Sequence, residues 1–396
     1  MRKIRKAVTI VAIGGSFAIG VALPVVPAAA EPTPGHPTLK VVASGLNSPK
    51  HLLWSRDGVY VAESGTGGTN CITGPSIEGQ GTTQYCVGDT ASVDLVNRFG
   101  VKHVLTGLPS VVEQDSMTAT GPAAVALNGD SLAVLYQDAL VQADGSTPLP
   151  APFSGTGGKL LLASRAHNTW TPAVDFAAYA AAHPQDAATV GGLGETVYDS
   201  DPYDITRYKD GYAVVDAAAN SLLYVDKQGT VKLLARFPTE AQTVPAGVLG
   251  PVAMTVQAQA VPTSVAVGPD GALYVGTLRG VPSLPGGSQI YRVEASGKMR
   301  VYASGLTAVT AIAFDNHGRL LATEFNIGGL LSPRTVPGAL VRIDKQGNVT
   351  TLPVEGLFAP TGIAISPSGE VYVANYGVSA GNATPSGEVV RIYGID

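Results

Sequence analysis

Six side chains recur at one place in a repeated phrase of this chain. Glu63, Tyr136, Asp216, Thr277, Glu324 and Asn375 each stand two residues beyond the apolar position that closes a short β pattern. Four of them, Glu63, Asp216, Glu324 and Asn375, carry carboxylate or amide oxygens. Brought round one axis, such oxygens suit Ca²⁺, which takes six to eight hard oxygen ligands. The plainer reading is that polar residues end strands wherever strands meet solvent. A second acidic spot, Glu195, Asp199 and Asp201, leads into Pro202 and Tyr203. Asp199 and Asp201 would be ligands or a catalytic pair, but Asp-x-Asp before Pro more often caps its own backbone in a turn. Glu113 and Asp115 add a third, weaker spot. The six histidines are scattered without metal spacing. His51 falls on an expected inner strand, where a satisfied buried histidine is the plainer reading than a channel-lining one. A nucleophile elbow and a phosphate-binding Gly-rich loop before a helix are both absent from the sequence.

The elements that must position these residues are legible. An apolar run, a Pro/Gly/Asp turn and a second apolar run return at Pro49, Pro122, Pro202, Pro262, Val309 and Pro360. Each copy reads as two period-2 strands joined by a tight turn. A second strand pair follows most copies, clearest at 221–234, 289–302 and 339–352, and looser at 93–106 and 159–176. Two hairpins make a four-stranded antiparallel sheet, and repetition of that unit signals a propeller. The last copy lacks a fourth strand, since only three residues follow 388–393. The stretch 39–44 near the other end is a fourth strand without a first three. Pairing the two closes the ring. The expectation is an all-β, six-bladed β-propeller over 39–396, closed by pairing of the N-terminal strand with the C-terminal blade.

Ahead of it, Arg2, Lys3, Arg5 and Lys6 precede an apolar stretch and Ala28-Ala29-Ala30, which reads as a signal peptide over 1–30 followed by a short linker over 31–38. The whole chain carries 25 basic and 30 acidic residues, net −5; without the leader's four basic residues, 21 stand against 30 and the net charge is −9. That balance argues against nucleic acid or anionic lipid as partner. The only cysteines, Cys71 and Cys86, sit fifteen residues apart in a Gly-rich segment. In an exported protein the default is a disulfide. The turns at Asp57-Gly58, 269–271 and Ser296-Gly297 belong to one face of the disc. The long connections (64–91, 109–121, 137–158, 171–201, 237–261, 278–288, 325–338 and 376–387) belong to the other, with a short helix expected over 174–183. Long irregular loops on a rigid scaffold are where binding usually resides.

In 42–49, 59–68 with the Cys-bearing insertion, 199–203, 214–223, 360–363 and 387–392 the chain resembles the ScyD/ScyE family, named after proteins encoded with the cyanobacterial pigment scytonemin and widespread as exported actinobacterial proteins. The resemblance spans essentially the whole mature chain and implies an NHL-like propeller, with no agreed catalytic residues to carry over. Ala217-Ala218-Ala219 departs from it, where relatives tend to carry glycines.

The leading expectation is a secreted, monomeric, non-catalytic protein that binds an extracellular ligand or protein on the long-loop face, with Tyr136, Glu195, Asp199, Asp201 and Thr277 among the contacting residues. The enzyme alternative is a Ca²⁺-dependent hydrolase or lactonase, its metal polarising a carbonyl at the channel mouth. A structural envelope role is the third.

Overall fold

A computed structural model describes residues 37–75, 82–116, 118–137, 151–183, 200–378 and 386–395. Six antiparallel blades follow one another along the chain, each opening at or within two residues of the expected place; five have four strands, and the sheet of the first carries two more, Asn70–Pro75 and Thr118–Thr120. Blade 1 is Pro49–Ser55, Gly58–Glu63, Thr82–Asn97 and Gly100–Glu113; blade 2 is Pro122–Asn128, Ser131–Tyr136, Lys159–Ser164 and Thr169–Asp175. Blade 3 is Pro202–Tyr208, Gly211–Asp216, Ser221–Val225 and Val231–Arg236; blade 4 is Pro262–Val267, Leu273–Thr277, Ser288–Val293 and Met299–Leu306. Blade 5 is Val309–Phe314, Leu320–Glu324, Ala339–Ile343 and Val349–Leu352. Blade 6 takes Gly362–Ile365, Val371–Asn375 and Gly387–Tyr393 from the far end of the chain and its outer strand, Thr38–Leu46, from the near end. Thr38 lies opposite Tyr393, Val41 opposite Val390 and Leu46 opposite Gly387.

The tight turns follow from side-chain chemistry. Asp226, Asp315 and Asp344 each accept hydrogen bonds from the backbone N–H groups two and four residues on. That capping lets the chain reverse within a few residues, and it leaves the strands free to alternate apolar and polar positions.

Successive inner strands touch one another in order and the last touches the first, so the ring is closed. An apolar cluster fills each of the six seams, from the blade 1–2 cluster around Tyr60 and Leu161 to the blade 6–1 cluster around Val61 and Val389. The blades approach closely at the axis. A methyl group on Gly362 of blade 6 would sit 2.4 Å from the Lys50 carbonyl oxygen of blade 1, so a side chain larger than hydrogen cannot stand there without parting the seam.

Three elements differ from expectation. The expected strand pair at 93–106 runs on to 16 and 14 residues in Thr82–Asn97 and Gly100–Glu113. Within that extension Asn70–Pro75 pairs with the longer strand, Cys71 lies opposite Cys86, and the two form a disulfide with Cα atoms 4.0 Å apart. The expected helix over 174–183 begins only at Phe176, because Val174 and Asp175 still pair with blade 2. Asp175 then caps it, accepting from the Ala178 N–H at 2.8 Å. The connection 237–261 carries a two-stranded ribbon, Glu240–Val244 with Met254–Ala258. The signal-peptide reading over 1–30, Glu195 and Asp199 lie outside the described residues.

Candidate functional site

Counted from the residue that opens each repeat (Pro49, Pro122, Pro202, Pro262, Val309 and Pro360), the second and third residues lie where the inner strand begins. In blades 4, 5 and 6 the second residue is a threonine, whose hydroxyl donates to the carbonyl that opens the next inner strand: Thr263 to Val309, Thr310 to Pro360 and Thr361 to Pro49, at 2.6–2.7 Å. In blades 1, 2 and 3 that position holds Lys50, Ala123 and Tyr203. Lys50 is fully buried, and its ammonium donates to the Gly377 carbonyl at 3.3 Å. Burial lowers its pKa to about 8, with Asp201 opposing the shift and Arg334 adding to it. Tyr203 is pushed up by burial and by the carboxylates of Asp201 and Asp204. Arg334, on the long connection of blade 5, reaches to within 3.4 Å of the Ser116 carbonyl beside blade 1. Charged side chains from blades 1, 3 and 5 therefore lie within electrostatic reach of one another at the channel end on the long-loop face.

One layer deeper, the third residues include His51 of blade 1 and Asp204 of blade 3. These blades are not neighbours, so the 3.6 Å approach of His51 Nδ1 to Asp204 spans the channel. Asp204 also accepts from the Val265 N–H of blade 4 at 2.8 Å, and the Tyr203 ring meets the imidazole edge-on. Burial drives His51 down and Asp204 up, each toward its neutral form. His51 Nε2 is buried without a hydrogen-bond partner. The expectation of a buried histidine holds, with Nδ1 turned toward Asp204.

The six rim residues have a shared local job in four blades. Glu63, Asp216, Glu324 and Asn375 turn an oxygen back to the backbone that leads into their own blade, accepting from the N–H of Asn47, Asp201, Thr307 and Phe358 at 2.6, 3.0, 2.7 and 2.8 Å. The residue after three of these donors is left-handed: Ser48, Ala308 and Ala359 have φ of 53°, 46° and 42°. That conformation costs about 1–2 kcal/mol for a residue with a Cβ, and the rim oxygen holds the chain in it. Asp216 also accepts from Ser200 and from the Ala219 N–H. Thr277 instead bonds Gln289 across its blade, and the Tyr136 hydroxyl donates to the Pro109 carbonyl. Glu113 accepts from Ser116. Among the described residues no group of three or more His, Cys, Asp or Glu is gathered closely enough to hold a metal.

Glu63 has a second carboxylate, Asp94, beside it. Burial first, then the Asp94 carboxylate beside it, raises its pKa to about 9. Asp94 in turn lies 3.0 Å from His103 Nδ1 through both of its oxygens. Lys50, Arg334, Asp94 and His103 are absent from the expected site. Aligning the six third strands would have exposed Asp94 as a carboxylate where every other copy is apolar.

No family model matches the chain, and no curated protein does. Solved structures resemble it in fold. A protein of unknown function from Bacteroides thetaiotaomicron is 11% identical with a TM-score of 0.50, over 90% of this chain and 75% of that one. A protein carrying a provisional gluconolactonase assignment is 11% identical (TM-score 0.49, 91% and 92% of the chains), and virginiamycin B lyase from Staphylococcus aureus is 12% identical (TM-score 0.46, 90% and 99%). These are likenesses of fold alone. The disulfide is a feature of an oxidising compartment.

Proposed function

We propose that this is an exported binding protein of the ScyD/ScyE type that takes an extracellular ligand or protein partner on its long-loop face. One observation carries the reading: at that end of the channel the buried Lys50 ammonium of blade 1 bonds the long connection at Gly377, and Arg334 of blade 5 reaches across to Ser116 beside blade 1. Charges held where strands begin and on the connection above them keep a fixed geometry, which orients a polar partner at low entropic cost. The role is recognition, with the shaft below packed by His51 and Asp204. Export rests on the leader over 1–30 and on the disulfide.

The test is capture. Immobilised mature protein is incubated with culture filtrate and with a cell-wall fraction of the producing cells, beside Arg334→Ala and Tyr203→Phe on the loop face and Asp57→Ala and Lys345→Ala on the opposite face. Loss of capture in the first pair alone is expected. Loss in the second pair alone would sink the reading. Retention on the cell-wall fraction but not from filtrate would favour the envelope role.

A further inference from the structure

The two-stranded ribbon on the connection into blade 4 ends in an apolar tip. From Pro245 to Met254 the chain reads Pro-Ala-Gly-Val-Leu-Gly-Pro-Val-Ala-Met, ten residues with no charge and no side-chain hydrogen-bond donor. Nine of them are exposed and Gly250 is half-buried, whereas Val244 just before them is fully buried. Val248, Leu249, Val252 and Met254 are 39%, 40%, 64% and 41% exposed. Elsewhere among the described residues large exposed apolar side chains stand singly or in pairs, which is ordinary for a protein surface. Four within ten residues is a patch, and patches of that kind mark interaction sites.

The base of the ribbon fixes where the tip stands. Glu240 accepts from the buried Arg279, and from Gln289 and Tyr291 of blade 4 at 3.3 and 3.1 Å. The strands then pair from Glu240 opposite Ala258 to Val244 opposite Met254. At the turn the Gly247 N–H donates to the Gly250 carbonyl at 2.7 Å, and Pro245 and Pro251 have no N–H to satisfy. Two further connections of the same face adjoin the ribbon. A methyl group on Gly287 would collide with Gln242, and one on Gly329 with the Ser283 carbonyl oxygen, so 237–261, 278–288 and 325–338 lie side by side. The latter two expose Val281 and Ile327. All three together carry only Glu240, Arg279 and Arg334 as charged side chains, and the first two pair with each other.

We propose that this tip seats the protein on a zwitterionic lipid surface, with Val248, Leu249 and Val252 entering the edge of the hydrocarbon and Thr243 and Thr255 at the level of the headgroups. Three observations favour lipid over a protein. Protein interfaces rest on Tyr, Trp and Arg anchors and on about one hydrogen bond per 100–200 Å², and the tip offers none of these side chains and no side-chain donor. Ten residues at a hairpin end also fall short of the roughly 20–30 that a stable complex engages on each side. Charge gives the third. The mature chain is net −9, yet these connections hold one acidic residue against two basic ones, so a zwitterionic surface does not repel them while an anionic one meets the charge of the rest of the molecule. The four large side chains carry about as much hydrocarbon as one acyl chain, which holds a protein to a bilayer weakly and reversibly, at about 10⁴ M⁻¹. The proposal does not rest on the loop-face partner, since a vesicle of pure lipid presents no protein or cell-wall ligand.

The experiment sediments the intact mature protein with sucrose-loaded vesicles, of phosphatidylcholine alone or mixed equally with phosphatidylglycerol, at low ionic strength. Light scattering without lipid gives the oligomeric state. Binding to the phosphatidylcholine vesicles is expected, weaker to the mixed ones, with a monomer in the absence of lipid. Val248→Asp with Leu249→Asp should weaken binding at least tenfold, and Val248→Ser with Leu249→Ser serves as the milder pair should the first fail to fold. Phe99→Asp should leave it unchanged: Phe99 is 83% exposed, on the turn beside Asp57 at the opposite face. Leu249→Trp should report entry directly through a blue-shifted emission on adding vesicles. No binding to phosphatidylcholine, binding only to the mixed vesicles, binding undiminished in both tip pairs or equally reduced by Phe99→Asp, or a tip-dependent dimer without lipid would overturn the proposal.

Discussion

Glu324 illustrates how a side chain can carry the signature of a ligand and serve the backbone. Its carboxylate accepts from the buried Thr307 N–H, ahead of the left-handed Ala308. Glu324→Ala leaves that N–H without an acceptor and should cost about 2 kcal/mol, whereas Glu324→Gln keeps an oxygen there and should cost under about 1 kcal/mol. Urea unfolding of the three proteins measures both. Lys50 has an opposite effect. Its folded pKa of about 8 lies below the ordinary 10.5, so between those values the unfolded chain binds more protons and stability rises with pH. Below pH 8 the penalty is fully present, on the order of 3 kcal/mol. Lys50→Met should therefore be more stable than the parent at pH 7, with the gain gone by pH 10.5; an equal gain at both values would contradict the assignment. The rim positions were legible in the sequence because they repeat. Their partners were not, because a backbone N–H beside a left-handed residue leaves no mark in residue type.

At the level of elements, hairpins and turns were readable from alternation and from Asp and Gly spacing, and all six blades open where the pattern places them. The extension of blade 1 was not. In 82–92 the strand carries Thr, Gln, Tyr and Gly, without the clean alternation of a half-buried strand, and it is fixed by the Cys71–Cys86 cross-link and by Gly100–Glu113 running alongside. Closing a fifteen-residue loop contributes about 3 kcal/mol on the chain-entropy model. Because this hairpin lies outside the four-stranded core of its blade, Cys71→Ser with Cys86→Ser should leave the far-ultraviolet circular dichroism of the ring nearly unchanged while proteolysis near residues 70–86 accelerates. Collapse of the whole spectrum would mean that the extension supports the ring. Asp94 belongs to this scale as well: its unusual character emerges only when six equivalent strands are laid side by side.

For the whole molecule, ring closure was inferable from an orphan strand at one end and an incomplete blade at the other. What the sequence could not convey is how the axis is filled, since the His51–Asp204 contact joins blades separated by a third. The rim oxygens are engaged by backbone in four of six blades, so removing divalent metal with EDTA, or adding Ca²⁺, is expected to leave the Tm of the mature protein unchanged. A shift of several degrees would favour the Ca²⁺-dependent hydrolase over the binding role. N-terminal sequencing of the exported product should begin at Glu31; a product beginning at Met1 would contradict the leader.

The outer strand of blade 6 is among the earliest parts of the fold to be synthesised, yet its partner, Gly387–Tyr393, is among the last. During synthesis, Thr38–Leu46 must wait beside growing blades without its pairing strand. A stop codon just before residue 387 would strand it for good, and it would also bare the edge of Val371–Asn375. Two such edges on one molecule invite head-to-tail pairing between copies. A loss of ten residues from the tail should thus convert a discrete particle into chains of linked ones.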